Sequence, residues 1–227
     1  QTQQQWKPRI LGEMRRWIAQ SQDKEYINMQ LCFDETNLDR GHAIIYCTNE
    51  ESPFYGLPLY FEYNVATNYP HSPPRFKFLN PLHFKQGITN CRIHPNLYAC
   101  GKLCLSILGT WQGGSSELWK PCATLLIVLK TIEVLLDNNP IAHEPGYNGH
   151  KRGQEQSDEY YLDSLFRTVT IITNMVTQFK ENIPSVASLP CRDWAINLIA
   201  KDKEKHITRI KDLPASNSRN TLHGCNE

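Results

Sequence analysis

Apolar side chains recur at helical spacing near the start of the chain, where Ile10, Met14, Trp17 and Ile18 form a stripe and Arg9, Arg15 and Arg16 fall on other faces. This predicts an amphipathic helix over residues 7–20. The period then drops to two: Ile27, Met29, Leu31 and Phe33 recur at every second position, as do Leu57, Leu59, Phe61 and Tyr63, with shorter β-rich runs at 43–46 and 75–78. These four runs predict an antiparallel meander, closed by the Pro-rich segment His71-Ser72-Pro73-Pro74.

Between residues 80 and 119 neither period persists, and an irregular stretch of that length inside a domain is usually functional. Leu125, Leu126, Leu129, Ile132, Leu135 and Leu136 then mark a buried helix stopped by Asn138-Asn139-Pro140. Ser157 is placed as the cap of a further helix striped by Tyr161, Leu165, Ile172, Val176 and Phe179 and ended by Asn182-Ile183-Pro184. A last helical pattern carries Trp194, Leu198, Ile207 and Ile210 before a frayed tail rich in Ser, Asn and Gly. The expected class is therefore α+β: a main domain over 1–182, a helical extension over 183–213 and a flexible tail over 214–227.

Charge narrows the function classes. Twenty-four Lys and Arg balance 23 Asp and Glu, which lacks the basic excess of a nucleic-acid binder. The apolar run 125–129 is far too short to span a bilayer, and no signal pattern opens the chain, so no membrane partner is expected. The start at Gln1 is read as the start of a piece from a longer protein. Eight cysteines lack the short repeated spacing of a zinc site, and His83 and Cys91 add none, so neither metal nor cofactor is expected. Free thiols and the absence of glycosylation acceptors place the chain in cytosol or nucleus.

The irregular stretch holds His94-Pro95-Asn96, then a Gly turn at Gly101, then Cys104 in an apolar run. By itself this is only a thiol at the edge of a packed loop, and a single cysteine is ordinarily a small buried hydrophobe. The order of the surrounding residues is more specific. Tyr69-Pro70-His71-Ser72-Pro73-Pro74, His94-Pro95-Asn96 followed after ten residues by Cys104, Trp119-Lys120-Pro121 and Asn139-Pro140 together resemble the ubiquitin-conjugating enzyme family over about residues 5–180. Residues 101–111 and Glu144-Pro145-Gly146-Tyr147 are similar to its large hybrid conjugating enzyme/ligases of the apollon type.

That resemblance implies a sheet flanked by helices, and Cys104 as the acceptor that carries ubiquitin, or a ubiquitin-like modifier, as a thioester bound for a substrate lysine. Asn96 would donate to the oxyanion, brace the loop, or both. His94 is either a base or, preferably, a hydrogen-bonded lock, with Pro95, Tyr98, Ser106 and His143 supporting the loop. In the resemblance, Trp119-Lys120-Pro121 begins the second long helix. Ile141 and Ala142 stand where relatives carry an acid or serine, and Ser106 where many have Asp, leaving His143 or Glu144 as substitutes. Arg9, His71, Lys120 and Pro121 fall where the family meets its activating enzyme and ligases. Cys100 could pair with Cys104 on oxidation or be idle, and the 190–213 segment could bind a partner or buttress the core. The 109–118 insertion is expected to form a mobile flap with Trp111 anchored on the core. Competing readings are an inactive scaffold that binds ubiquitin, and a cysteine protease using Cys104 with His94 or His143.

Overall fold

The computed structural model describes residues 6–79, 92–181 and 190–213. In it the alternating segments pair as one antiparallel sheet in sequence order: β1 (Met29–Phe33), β2 (Arg40–Tyr46), β3 (Pro58–Asn64) and β4 (Arg75–Leu79). Register sets Leu31 opposite Ala43 and Ala43 opposite Phe61, and sets Cys32 opposite His42 and Ile44 opposite Tyr60. Because side chains alternate across the pleat, Met29, Leu31, Ala43, Ile45, Leu59 and Phe61 share one face, and Cys32, Ile44, Tyr46 and Tyr60 the other. Both faces are buried: Ile44 and Ile45 have no exposed surface.

The opening helix α1 (Trp6–Gln20) buries Trp6, Ile10, Glu13 and Trp17. Ile18, expected on that stripe, is 62% exposed, since the step from Trp17 to Ile18 rotates it about 100° away from the core. Ile27 likewise lies outside β1 and is exposed. The buried Glu13 carboxylate accepts hydrogen bonds from Arg9 Nε (2.7 Å), the Tyr69 hydroxyl (2.6 Å) and the Leu125 N–H (2.9 Å). It therefore joins α1, the cis Tyr69-Pro70 loop and the first turn of α2 (Leu125–Leu135).

Thr124 caps α2 by accepting from Ile127 N–H, and Leu125, Val128, Leu129 and Ile132 enter the core. Trp119-Lys120-Pro121 thus precedes the helix as a turn instead of beginning it; the Trp119 indole donates to the Pro70 carbonyl at 2.7 Å. Pro140 opens a 3-10 turn, Pro140–His143. The next helix, α3 (Glu155–Lys180), starts ahead of Ser157, whose buried hydroxyl donates to Asn139 Oδ1 and does not cap the helix. Its buried stripe includes Leu165, Ile172 and Phe179.

The single helix expected near the end is two, α4 (Arg192–Lys201) and α5 (Lys203–Lys211), separated at Asp202. They cover the Tyr46 and Tyr60 face of the sheet. Tyr46 donates to Asp202 Oδ2 (2.8 Å), Arg192 to the Phe179 carbonyl (2.8 Å) and Arg209 to the Ser52 carbonyl (2.8 Å), while Ala195 and Ile199 are buried. Trp194 and Leu198 pack partly buried against the core, whereas Ile210 is exposed. The expected 182 boundary, the 214–227 tail, Gln1, His83 and Cys91 lie outside the described residues.

Candidate active site

Residues 92–105 form no regular strand or helix, yet Ile93, His94, Asn96, Leu97, Leu103, Cys104 and Leu105 are buried. Short bridges hold the loop: His94 with Leu97, Leu97 with Leu103, and Lys102 with Lys77 of β4. Gly101 is required at the turn. Its φ is +92°, and a Cβ there would lie 2.8 Å from the Phe78 carbonyl.

His94 is fully buried, and both ring nitrogens are used. Nδ1 accepts from the Asn96 N–H at 3.0 Å, so the proton resides on Nε2, which donates to the Leu135 carbonyl at 3.0 Å. Burial, then the neighbouring His143, push its pKa down to about 3. A neutral imidazole with no free nitrogen is a lock between the loop and the end of α2, not a base.

Asn96 is equally committed. Its Nδ2 donates to the Cys104 carbonyl at 2.7 Å, and its own carbonyl accepts the Cys104 N–H at 3.0 Å. Its buried Oδ1 has no partner among the described residues. The carboxamide thus clamps the Cys104 segment, with one remaining N–H for other work.

Cys104 is 1% exposed. Burial raises its thiol above the ordinary value, while the Lys102 ammonium, the Tyr98 hydroxyl and the Arg92 guanidinium pull the other way. The resting side chain is therefore a thiol, not a standing thiolate. Tyr98 is held by Arg92, 4.6 Å above its ring, and Arg92 also donates to the Pro95 carbonyl (3.0 Å) and pairs with Glu144 (2.5 Å).

A cleft of about 680 Å³ opens at Cys104. Asn96, Leu105, Ser106 and Ile107 line it on the Cys104 side, Thr131 and Leu135 from α2, Ala142 and His143 from the 3-10 turn and Glu144 after it, and Trp111, Ser116 and Glu117 from the insertion. Trp111 faces this cleft and does not join the core. The insertion lies against Ser106: a Cβ on Gly113 would come within 2.3 Å of its hydroxyl.

His143 Nε2 lies 2.9 Å from Asp137 Oδ2. Burial would raise the Asp137 carboxyl, but the hydrogen bonds from His143 and the Asn139 N–H outweigh it and hold its pKa below the usual range. A carboxylate there takes the Nε2–H of His143 as its donor and orients the ring. Asp137, Arg92 and Glu117 are site residues the sequence reading missed. Arg92, two residues ahead of the His-Pro-Asn run, was the only one with a local signal.

His71, Lys120 and Pro121 are exposed, and the Trp119 to Pro70 hydrogen bond brings their two loops together. Arg9 reaches the same region but is turned inward, donating to Glu13 and to the Ala123 carbonyl at 2.5 Å, with about a fifth of its side chain exposed (21%). Cys100 is exposed and Cys104 buried. Among the described residues no group of three metal-ligating side chains occurs, and no helix is long and apolar enough to cross a membrane.

Comparison with known proteins gives the family of the chain. The family model described as "Ubiquitin-conjugating enzyme" matches residues 9–165. The probable ubiquitin-conjugating enzyme protein 17 of Caenorhabditis elegans is 38% identical over 139 residues, 60% of this chain and 18% of that protein. The probable ubiquitin-conjugating enzyme E2 26 of Arabidopsis thaliana is 33% identical over 175 residues, 73% of this chain and 30% of the relative. The human ubiquitin-conjugating enzyme E2 Z is 32% identical over 140 residues, 62% and 37% respectively. The matched region is well under half the length of these three relatives.

Proposed function

The chain belongs to the ubiquitin-conjugating enzyme family, and from that premise we propose that Cys104 accepts activated ubiquitin as a thioester and passes it to a substrate lysine. The observation that carries the reading is the placement of Cys104 at the wall of a cleft that His143 also lines, with Asp137 behind His143 at 2.9 Å. In the first step Cys104 loses its proton and attacks the thioester carbonyl on the activating enzyme, whose own thiol leaves. In the second, a lysine amine attacks the new thioester and gives up a proton to a base in the cleft, the C–S bond breaks, an amide forms and Cys104 departs as the thiolate.

His143 Nδ1 is the group we assign to receive that proton, in place of the acid or serine absent at Ile141 and Ala142. Asn96 holds the acceptor segment and offers its second N–H to the oxyanion. His71, Lys120 and Pro121 form the docking surface for the activating enzyme and a ligase, with Arg9 bracing it from behind. The greater length of the relatives is compatible with this domain acting inside a larger chain, including a hybrid of conjugating enzyme and ligase.

Incubation with activating enzyme, ATP and ubiquitin tests the reading. A reductant-sensitive adduct is expected from the natural chain and a reductant-resistant ester from Cys104→Ser. Absence of any adduct, with ubiquitin still bound noncovalently, would identify a scaffold instead. Survival of a reductant-sensitive adduct in Cys104→Ser would move the acceptor to another cysteine, Cys100 first.

A further inference from the structure

Outside the cleft, two thiols far apart in sequence meet. Cys32, in β1, and Cys191, which immediately precedes α4, are separated by 159 positions, and their sulfurs lie 2.8 Å apart. Both are half-buried, so a small reagent can reach them. Cys191 adopts a left-handed backbone (φ 52°), unusual for a residue with a Cβ, and its side chain caps no helix N–H although it occupies the N-cap. The position therefore gains nothing from capping, and the thiol is instead turned onto the sheet.

We propose that Cys32 and Cys191 are a redox-active pair that closes reversibly to a disulfide with a small-molecule disulfide such as oxidised glutathione, fastening α4 and α5 to the sheet. This does not depend on the ubiquitin-transfer reading. The Cys191 thiolate attacks one sulfur of oxidised glutathione, forming a mixed disulfide and releasing one glutathione thiolate. The Cys32 thiolate then attacks the Cys191 sulfur, the protein S–S bond forms and the second glutathione leaves. Two electrons and two protons pass from the protein thiols to oxidised glutathione, giving two molecules of reduced glutathione. The order of attack follows from the shared hydrogen bond: Cys32 S–H donation favours the Cys191 thiolate and holds Cys32 protonated.

The other described cysteines do not compete for this role. Cys47 is buried, with a thiol pushed up to about 11 by desolvation. Cys104 is buried in the cleft, and Cys100 and Cys122 are exposed. Closure would act on the surface that α4 and α5 cover, holding them over Ile44, Tyr46 and Tyr60.

The test equilibrates the full chain with mixtures of reduced and oxidised glutathione, traps free thiols by alkylation, and maps cysteines by peptide mass under non-reducing conditions. A peptide pair joining Cys32 to Cys191 is expected, released by reductant and absent from Cys32→Ser and Cys191→Ser. Backbone amides of α4 should exchange hydrogen at least tenfold more slowly in the oxidised natural chain than in the reduced one, a comparison that needs no variant. Glutathione found singly on Cys32 or Cys191 without the joined peptide would overturn the pairing, as would both staying free while Cys100 and Cys122 react. A joined peptide with unchanged α4 exchange would overturn the clamp.

Discussion

Asn96 and Cys104 hold each other by two hydrogen bonds in opposite directions, from the Asn96 carboxamide to the Cys104 carbonyl (2.7 Å) and from the Cys104 N–H to the Asn96 carbonyl (3.0 Å). Only the first is lost on truncation of the side chain. Asn96→Ala leaves a buried carbonyl without its donor, at a cost of about 1–3 kcal/mol of stability. Discharge to lysine should slow by about tenfold to a thousandfold through the missing oxyanion donor, while loading changes much less. Thermal unfolding and separate loading and discharge assays check this. Unchanged discharge with lowered stability would leave Asn96 a brace alone.

Burial of Cys104 sets a second expectation. A thiol raised above its ordinary value is thiolate in only a small fraction at neutral pH, and that fraction rises about tenfold per pH unit until the pKa is reached. Alkylation by iodoacetamide should therefore modify exposed Cys100 and Cys122 before Cys104 and accelerate at Cys104 as pH rises. Lys102→Ala removes a charge that favours the thiolate and should slow Cys104 alkylation further. Cys104 reacting first at neutral pH would contradict the buried thiol.

Much of this was legible in the chain, for identifiable reasons. Alternation announced β1 and β3 and short β-rich runs announced β2 and β4, while the order of Tyr69-Pro70, His94-Pro95-Asn96, Cys104 and Asn139-Pro140 pointed to the loop that holds Cys104. Interactions between residues distant in sequence were not legible. The Glu13 carboxylate that joins Arg9, Tyr69 and Leu125 reads locally as an ordinary helix-surface residue. Ser157 had the chemistry of a cap but binds Asn139 across a turn, and Asp137 gains its role only because the 3-10 turn returns His143 to it. The split between α4 and α5 was hidden because helical periodicity continues through Asp202.

His94 predicts how stability depends on acid. Its folded pKa, about 3, lies below the ordinary imidazole value of about 6.5, so in that window the unfolded chain binds a proton that the folded chain refuses. Stability from this group is complete above the higher value and falls as pH drops toward the lower one. The loss between about pH 7 and about pH 5 is roughly 2 kcal/mol. His94→Gln should lower stability at neutral pH by breaking the lock, yet flatten this part of the pH dependence. Denaturant unfolding at several pH values measures both, and an unchanged slope would assign the acid sensitivity elsewhere.

Trp111, Ser116 and Glu117 line the cleft together with Cys104, so the insertion is placed to meet an arriving lysine. Shortening it across residues 113–116 should leave the fold intact, because loop closure changes by only about 0.6 kcal/mol on doubling or halving. Loading should persist while the rate or lysine selectivity of discharge shifts. Natural discharge onto every acceptor would make the insertion a passive surface loop.

The proton that leaves the attacking lysine gives the sharpest test of the cleft. Asp137 orients His143, and its carboxylate keeps the Nε2 proton in place so that Nδ1 can accept another. Glu144 is occupied by Arg92 at 2.5 Å, and His94 has no free nitrogen, which leaves His143 and Glu117 as the candidate acceptors among the described cleft residues. His143→Ala should load ubiquitin normally but discharge it to free lysine about a hundredfold more slowly, within the range for loss of a general base. Hydroxylamine, a weak base already unprotonated at neutral pH, forms a more acidic adduct that water can deprotonate, and should discharge the variant at close to the natural rate. Asp137→Asn should show a smaller loss with the same preference between nucleophiles. Equal slowing with lysine and hydroxylamine would mean that His143 only shapes the cleft, and no slowing with either would shift the base to Glu117. The ratio of the two rates therefore separates proton transfer from packing, which the lysine rate alone cannot do.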